Sequence, residues 1–221
     1  MISLLPKPMV VCSNRNKVER VKMKESVIGK EELVLLRLAR ACIAGKFKGK
    51  DVEAQISNGI FKGFLEKKRG VFVTLHKKGR LRGCIGNIEP VKTLVQGVRE
   101  NAVSAAFKDS RFSPLALDEL DLIDIEISIL TKPERLVYKG AKELISSLAP
   151  GIDGVILEKD HHRATFLPQV WNQLPEPEEF LTQLCMKAGL SSSEWEKSGL
   201  NVYTYQVQSF GELDRESDFK T

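Results

Sequence analysis

This sequence has little with which to hold a metal or to build a covalent scaffold. It contains 3 histidines and 4 cysteines in 221 residues. Cys12, Cys42, Cys84 and Cys185 are widely spaced, with no C-x-x-C pair and no histidine cluster beside them. That spacing argues against a structural zinc site and against a disulfide framework, and points to a reducing compartment. No apolar run approaches the ~20 residues that span a bilayer. Met1 to Val11 is interrupted by Pro6 and Pro8, which does not fit a secretory signal. The expectation is a soluble, cytoplasmic chain with no membrane partner. A glycine-rich nucleotide loop is also missing, as are internal repeats and low-complexity tracts. No cofactor and no metal are therefore expected.

Excess positive charge is missing from most of the chain as well. The formal net charge is +5. Residues 1–30 alone carry Lys7, Arg15, Lys17, Arg20, Lys22, Lys24 and Lys30 against Glu19 and Glu25, which accounts for all of it. The remainder is electrically balanced. Composition thus assigns no phosphate-binding surface to the body of the chain, and nucleic acid is expected only weakly, through the basic leader. The tail from Gly211 reads as polar and disordered.

What is present is a 42% hydrophobic chain, enough for one sizeable core or two smaller lobes. Leu35, Leu36, Leu38, Ala39, Cys42 and Ile43 form one stripe of a helix from Lys30 to Ala44, stopped by Gly45. Val71 to His76 and Leu81 to Ile88 read as a hairpin about Lys77-Lys78-Gly79-Arg80. A second helix is expected from Pro90 to about Lys108, with Val91, Leu94, Val95, Val98, Ala102 and Ala105 inward. Its second half, Asn101 to Ala106, consists of small residues that permit close approach of a neighbour. Ile123, Ile125, Ile127 and Ile129 alternate with Asp124, Glu126 and Ser128, the pattern of a strand with one buried face. A short helix at Ala141–Leu148 and a hairpin of 154–158 with 163–167 follow. A helix opens at Pro177 and ends at Gly189, burying Phe180, Leu181, Leu184 and Cys185. A last strand spans Asn201 to Phe210. Hairpins dominate and no βαβ series is visible, which gives an α+β fold with antiparallel sheets.

The candidate site is Leu81-Arg82-Gly83-Cys84-Ile85-Gly86. Glycine weakens a strand interior and is usually kept there for a bulge or a close backbone approach. Two glycines flanking a thiol, with Arg82 two residues earlier on the same face, suggest a site. Arg82 can stabilise a Cys84 thiolate, and Gly83 and Gly86 can present backbone N–H groups to an oxyanion or phosphate. The competing reading is that Cys84 fills a tight gap beneath the small-residue helix. With a two-residue loop at Lys78-Gly79, Cys84 faces Val73 and His76 faces Leu81 across the sheet, so no Cys–His dyad forms. A three-residue loop shifts the register by one and makes the two diagonal neighbours on one face. His161 and His162 lie at a hairpin tip, where strand alternation would separate them. Asp109 and Arg111, just past a helix end, either bind a polar ligand or pair with each other. Glu126 lies on the polar face of the isoleucine strand, facing solvent or a cleft. The run Phe166 to Trp171 reads as a clamp between lobes.

The hexapeptide resembles the signature of the AMMECR domain family. So, in the family's order, do Asn101-Ala102 with Ala105-Ala106, Asp109-Ser110-Arg111-Phe112, Glu126-Ile127-Ser128, Gly151-Ile152-Asp153-Gly154, Phe166 to Val170 and Lys187 to Leu190. Ser110 stands where relatives usually carry proline, which loosens a turn and leaves the charged pair intact. The resemblance runs from about Glu31 to Phe210 and leaves out residues 1–28. It implies two unequal lobes, each an antiparallel sheet flanked by helices, with the signature residues near the groove between them. The larger lobe is expected at about 29–135 plus 191–211, the smaller at 136–190, and the tail at 212–221. In many prokaryotes such proteins are linked with a radical S-adenosylmethionine enzyme and a Memo-like protein, so these are the implied partners.

These readings converge on a groove holding Arg82, Gly83, Cys84, Gly86, Asn101, Asp109, Arg111 and Glu126. Arg82 and Arg111 offer planar donor forks suited to a small polar or anionic ligand. The function expected is that of a ligand- or partner-binding accessory component of a modification pathway. The alternatives are a transferase or hydrolase with Cys84 as nucleophile, and a weak, non-specific nucleic-acid binder acting through residues 1–30.

Overall fold

A computed structural model of the chain describes residues 29–49 and 62–213. The basic leader lies outside the described residues. Helix α1 (Lys30–Phe47) starts where the Gly29 N–H donates to the Glu32 carboxylate, and it buries the expected stripe from Leu35 to Ile43. It runs past Gly45, which is buried inside the helix rather than ending it. A short turn of helix, α2 (Lys62–Leu65), precedes strands β1 (Val71–Lys77) and β2 (Arg80–Asn87). Their two-residue turn has both Lys78 (φ +52°) and Gly79 (φ +71°) in the left-handed region, as a type I′ hairpin requires.

Helix α3 (Leu94–Phe107) begins four residues later than expected. Thr93 caps it: its hydroxyl accepts from the Gln96 N–H, and the Gln96 side chain accepts from the Thr93 N–H. A capping box satisfies two otherwise orphaned donors, and this outweighs the preference of Pro90 for a first helical position. Val91 is consequently 63% exposed instead of inward. Strand β3 (Ile123–Leu130) buries Ile123, Ile125, Ile127 and Ile129 as the alternation predicts.

β4 (Glu134–Arg135), α4 (Ala141–Ser147), the hairpin β5 (Gly154–Lys159) and β6 (His162–Phe166), and α5 (Pro177–Lys187) follow. Ala188 and Gly189, the latter at φ +75°, close α5. The last strand is two strands, β7 (Asn201–Tyr205) and β8 (Val207–Gly211). They belong to different sheets, one in the order β2-β1-β3-β8 and the other β4-β7-β5-β6. Residues 201–205 therefore do not share a sheet with the first hairpin. At the crossing, the Gln206 N–H donates to Thr131 Oγ1 (2.9 Å) and the Gln206 carbonyl accepts from the Thr131 N–H (2.9 Å). All strand pairs are antiparallel, and helices pack on both sheets, so the fold is α+β.

Two apolar cores result. One gathers α1, α3 and the inner face of β1 and β3; the other gathers α4, α5, β5 and β7. In the second, Trp171 stacks on Phe180 with centroids 3.7 Å apart, and its indole N–H donates to the Asp153 carbonyl at 2.7 Å. Burial pushes the Cys185 thiol up, as suits a cysteine acting as a small hydrophobe. A third cluster joins the sheets: Leu130, Ile156 and Tyr205 are buried against Phe72, Ile88, Leu167 and Val207. The Tyr205 hydroxyl donates to the Phe166 carbonyl, and burial pushes its pKa up to about 12. Gly211 and Glu212 belong to the fold rather than to a tail. Glu212 accepts from the Arg40 guanidinium and from the Ile125 N–H (2.9 Å).

Candidate functional site

The register around Cys84 departs from a regular hairpin. Lys77 pairs with Arg80 and His76 with Leu81, as a two-residue loop dictates. Leu75 then pairs with Gly83, so Arg82 is an extra residue without a partner, a β-bulge. The bulge moves Cys84 opposite Thr74 instead of Val73. It also breaks the alternation that would have kept Arg82 and Cys84 on one face.

The Arg82 guanidinium goes to Glu119, in a 3-10 turn at Leu117–Leu122, with Nε and Nη2 at 3.0 and 2.8 Å. Lys77 Nζ reaches the same carboxylate at 2.8 Å. Arg82, Lys77 and the Ala116 N–H hold the Glu119 carboxyl well below the usual carboxylate range. Arg82 is thus committed to a structural ion pair.

Both flanking glycines serve packing. A Cβ on Gly83 would lie 2.2 Å from the Ala105 carbonyl oxygen of α3, and one on Gly86 would lie 2.2 Å from the Phe72 ring. Asn101 is on the α3 side too. Its amide donates to the Val71 carbonyl (2.9 Å) and to Asn87 Oδ1 (3.1 Å). The sequence expectation that Arg82, Gly83 and Asn101 gather in one groove with Cys84 is not met. The tight packing on α3 bears on Gly83, while Cys84 itself is half-buried on the opposite face.

Asp109 and Arg111 do converge on Cys84, from the outer edge of β2. The Cys84–Thr74 pair leaves the Cys84 N–H and C=O pointing away from β1. The N–H donates to Asp109 Oδ2 (2.9 Å), and the carbonyl accepts from Arg111 Nη2 (3.3 Å). Asp109 is buried and also accepts from the Arg111 N–H (3.2 Å), Nε (2.9 Å) and Nη2 (2.7 Å). These bonds, the Arg111 guanidinium first, hold its carboxyl well below the usual carboxylate range. The pair therefore acts as a substitute neighbouring strand that fixes the Cys84 peptide and blunts the sheet edge.

On the other face, cross-strand pairing puts Cys84, Thr74 and Glu126 in one row, and Gly86, Phe72, Ser128 and Ser209 in the next. The Thr74 hydroxyl donates to Cys84 Sγ at 3.3 Å. Opposed residues are about 4.5–5.5 Å apart, so Cys84 and Glu126 are about 10 Å apart at Cα and Glu126 is no base for the thiol. His76 shares the strand face but is one pair further along, and Thr74, not imidazole, meets the thiol.

From these two rows Cys84, Thr74, Glu126, Phe72 and Ser128 floor a groove of about 330 Å³. Its opposite wall is the segment following β6: Leu167, Gln169, Val170 and Gln173, with Val207 at one end. Trp171, sunk into the second core, fastens the 3-10 turn Pro168–Asn172 that carries this wall. Of the sequence-predicted residues, Cys84 and Glu126 line the groove. Thr74, Ser128, Gln169 and Gln173 were missed. Thr74 is hidden by the bulge, and the wall residues meet the sheet only in three dimensions. A larger cavity of about 560 Å³ runs along Arg135–Gly140 and Glu196–Asn201, away from every predicted site residue.

Among the described residues no group of three or more His, Cys, Asp or Glu side chains could hold a metal ion. His161 and His162 are not separated by alternation, because His161 sits in the turn. Their rings lie 4.2 Å apart, and His162 Nδ1 is 2.9 Å from the Ala188 carbonyl. No described helix is long and apolar enough to cross a membrane.

The fold and site thus define an α+β protein with two four-stranded antiparallel sheets and a half-polar groove between the outer face of one and a turn anchored in the other. Residues 36–210 match the AMMECR1 family model, and the chain belongs to that family. A protein of Methanocaldococcus jannaschii is 39% identical over 186 residues, covering 81% of this chain and 89% of the relative. One from Methanothermobacter thermautotrophicus is 41% identical over 192 residues, covering 86% and 99%. The crystal structure of an uncharacterized protein from Pyrococcus horikoshii superposes with a TM-score of 0.71 at 34% identity, covering 84% of this chain and 93% of that one.

Proposed function

We propose that this chain is a cytoplasmic binding component of a modification pathway, with the groove over Cys84, Thr74 and Glu126 as its ligand site. The resemblance to proteins linked with a radical S-adenosylmethionine enzyme and a Memo-like protein makes those two its proposed partners. The observation that carries the reading is the row of thiol, hydroxyl and carboxylate on the floor of a groove whose far wall is anchored in the other core. A volume of about 330 Å³ suits a small molecule, which sites of roughly 300–1,000 Å³ accept.

A binding role is favoured over a catalytic one because, among the described residues, no imidazole or carboxylate is hydrogen-bonded to the thiol. Its hydrogen-bond partner is the Thr74 hydroxyl, Arg82 is paired with Glu119, and Arg111 contacts the Cys84 carbonyl rather than the sulfur. Asp109 and Arg111 belong to the site as positioning residues.

Native mass spectrometry of the full chain after incubation with a metabolite extract tests this. A small molecule retained by the wild type and released by Glu126→Gln and Cys84→Ser, both folded by circular dichroism, is the expected result. Retention unchanged in both variants would place the ligand elsewhere. Chemical conversion of the retained molecule, abolished by Cys84→Ala, would make Cys84 the nucleophile of a transferase or hydrolase instead.

A further inference from the structure

Resting on the reading of this groove as a ligand site, we infer that its ligand is a small primary alkylamine bound through its ammonium group, and not an anion. The sequence pointed to a small polar or anionic ligand because Arg82 and Arg111 offer planar donor forks. In the structure both forks are turned away: Arg82 is bidentate on Glu119, and Arg111 is bidentate on Asp109. Arg163, four residues before the far wall, pairs with Glu89, and Lys187 on α5 donates to the Thr165 carbonyl and lies over the Phe166 ring. Glu126 is the one charged side chain lining the groove, and no hydrogen bond or ion pair engages it among the described residues.

The uncharged polar atoms point the same way. Thr74 Oγ1 spends its proton on Cys84 Sγ and keeps acceptor lone pairs. Ser128 Oγ is 2.8 Å from Ser209 Oγ, beside Glu126 in the next row. Gln169 and Gln173 line the far wall, where either amide can turn its oxygen to a cation. An ammonium group carries three donors and no acceptor, so a carboxylate with hydroxyl and amide acceptors around it completes its shell. Phe72, Leu167, Val170 and Val207 supply apolar surface for an alkyl chain.

The test compares n-butylammonium with n-butyrate, equal in length and opposite in charge, by amide NMR on the full chain. The amides followed are those of Thr74, Cys84 and Ser128. Expected are saturable shifts with n-butylammonium, at least tenfold weaker in Glu126→Gln, and none with butyrate. Gln169→Trp, which narrows the groove from an exposed position without changing its charge, should weaken the same binding. Saturable shifts with butyrate, or butylammonium binding unchanged in Glu126→Gln, would overturn the amine assignment and leave the groove as a ligand site for something else. Stronger shifts with a capped lysine than with butylammonium would assign the ammonium to a protein side chain and overturn the small-molecule reading. No shift at these amides with any probe, up to the solubility limit, would overturn the amine assignment together with the groove itself.

Discussion

Replacing Gly83 by alanine probes why the motif carries its first glycine. The added Cβ would sit 2.2 Å from the Ala105 carbonyl oxygen and 3.1 Å from its carbon. To restore ordinary contact, β2 and α3 must separate by about 1 Å. The obstacle is helix backbone, so no rotamer change relieves it. α3 has no room to yield either. Retreat from the sheet would stretch the Asn101 bond to the Val71 carbonyl and open the packing of buried Leu94, Val98, Ala102, Ala105 and Ala106. Overpacking costs about 1–3 kcal/mol, and a clash with main chain belongs at the upper end, about 3 kcal/mol. For a fold of this size each kcal/mol lowers Tm by about 2–4 °C, so a fall of about 6–12 °C is expected. Gly79→Ala is the control. Gly79 has φ +71° and nothing within 4 Å of a Cβ, so it carries only left-handed strain of about 1–2 kcal/mol. Urea unfolding and calorimetry of the full chain measure both variants. If Gly83→Ala is no more destabilised than Gly79→Ala, the close approach of α3 does not explain the glycine.

Asp109→Ala should cost about 2–3 kcal/mol at neutral pH, because the Cys84 N–H loses its acceptor and a charge-assisted set of bonds is removed. The acid profile follows from the lowered folded-state pKa of Asp109, which the Arg111 guanidinium causes first. Its contribution is fully present above the unfolded-state value near ~3.9 and is lost as pH falls below it. Tm measured from pH 6 to pH 3 should fall more steeply in the wild type than in Asp109→Asn; parallel curves would refute this. Ser110→Pro should add about 0.4–1 kcal/mol, since Ser110 occupies the second position of a turn closed by Phe112 N–H to the Asp109 carbonyl (3.0 Å), where proline fits. A fall in the urea midpoint would mean that the turn needs the flexibility or the N–H of Ser110.

Local periodicity was sufficient for α1, β3 and α5, because an apolar stripe or a strict alternation has one low-energy burial whatever it packs against. The turn about Lys77-Lys78-Gly79-Arg80 was legible too, while the choice between a two- and a three-residue loop was left to the structure. The family, and the segment where the thiol sits, were likewise legible in Leu81 to Gly86. Tertiary structure alone decided the rest. Asn201 to Phe210 reads as one strand, yet Gln206 passes it from one sheet to the other, since strand partners are chosen by residues 43 or more positions away. The glycines of the motif signal a bulge or a close approach, but not that the extra residue is Arg82 or which register results. The bulge answers the distant Glu119 and the carbonyl of Ala105, and by shifting one register it moves Cys84 from Val73 to Thr74. The arginines that looked like anion receptors found carboxylates nearer than any ligand, at Glu119 and Asp109. Thus the residues of the proposed site were nameable in part from the chain, while the charge left free in its groove came from which of them the fold had already paired.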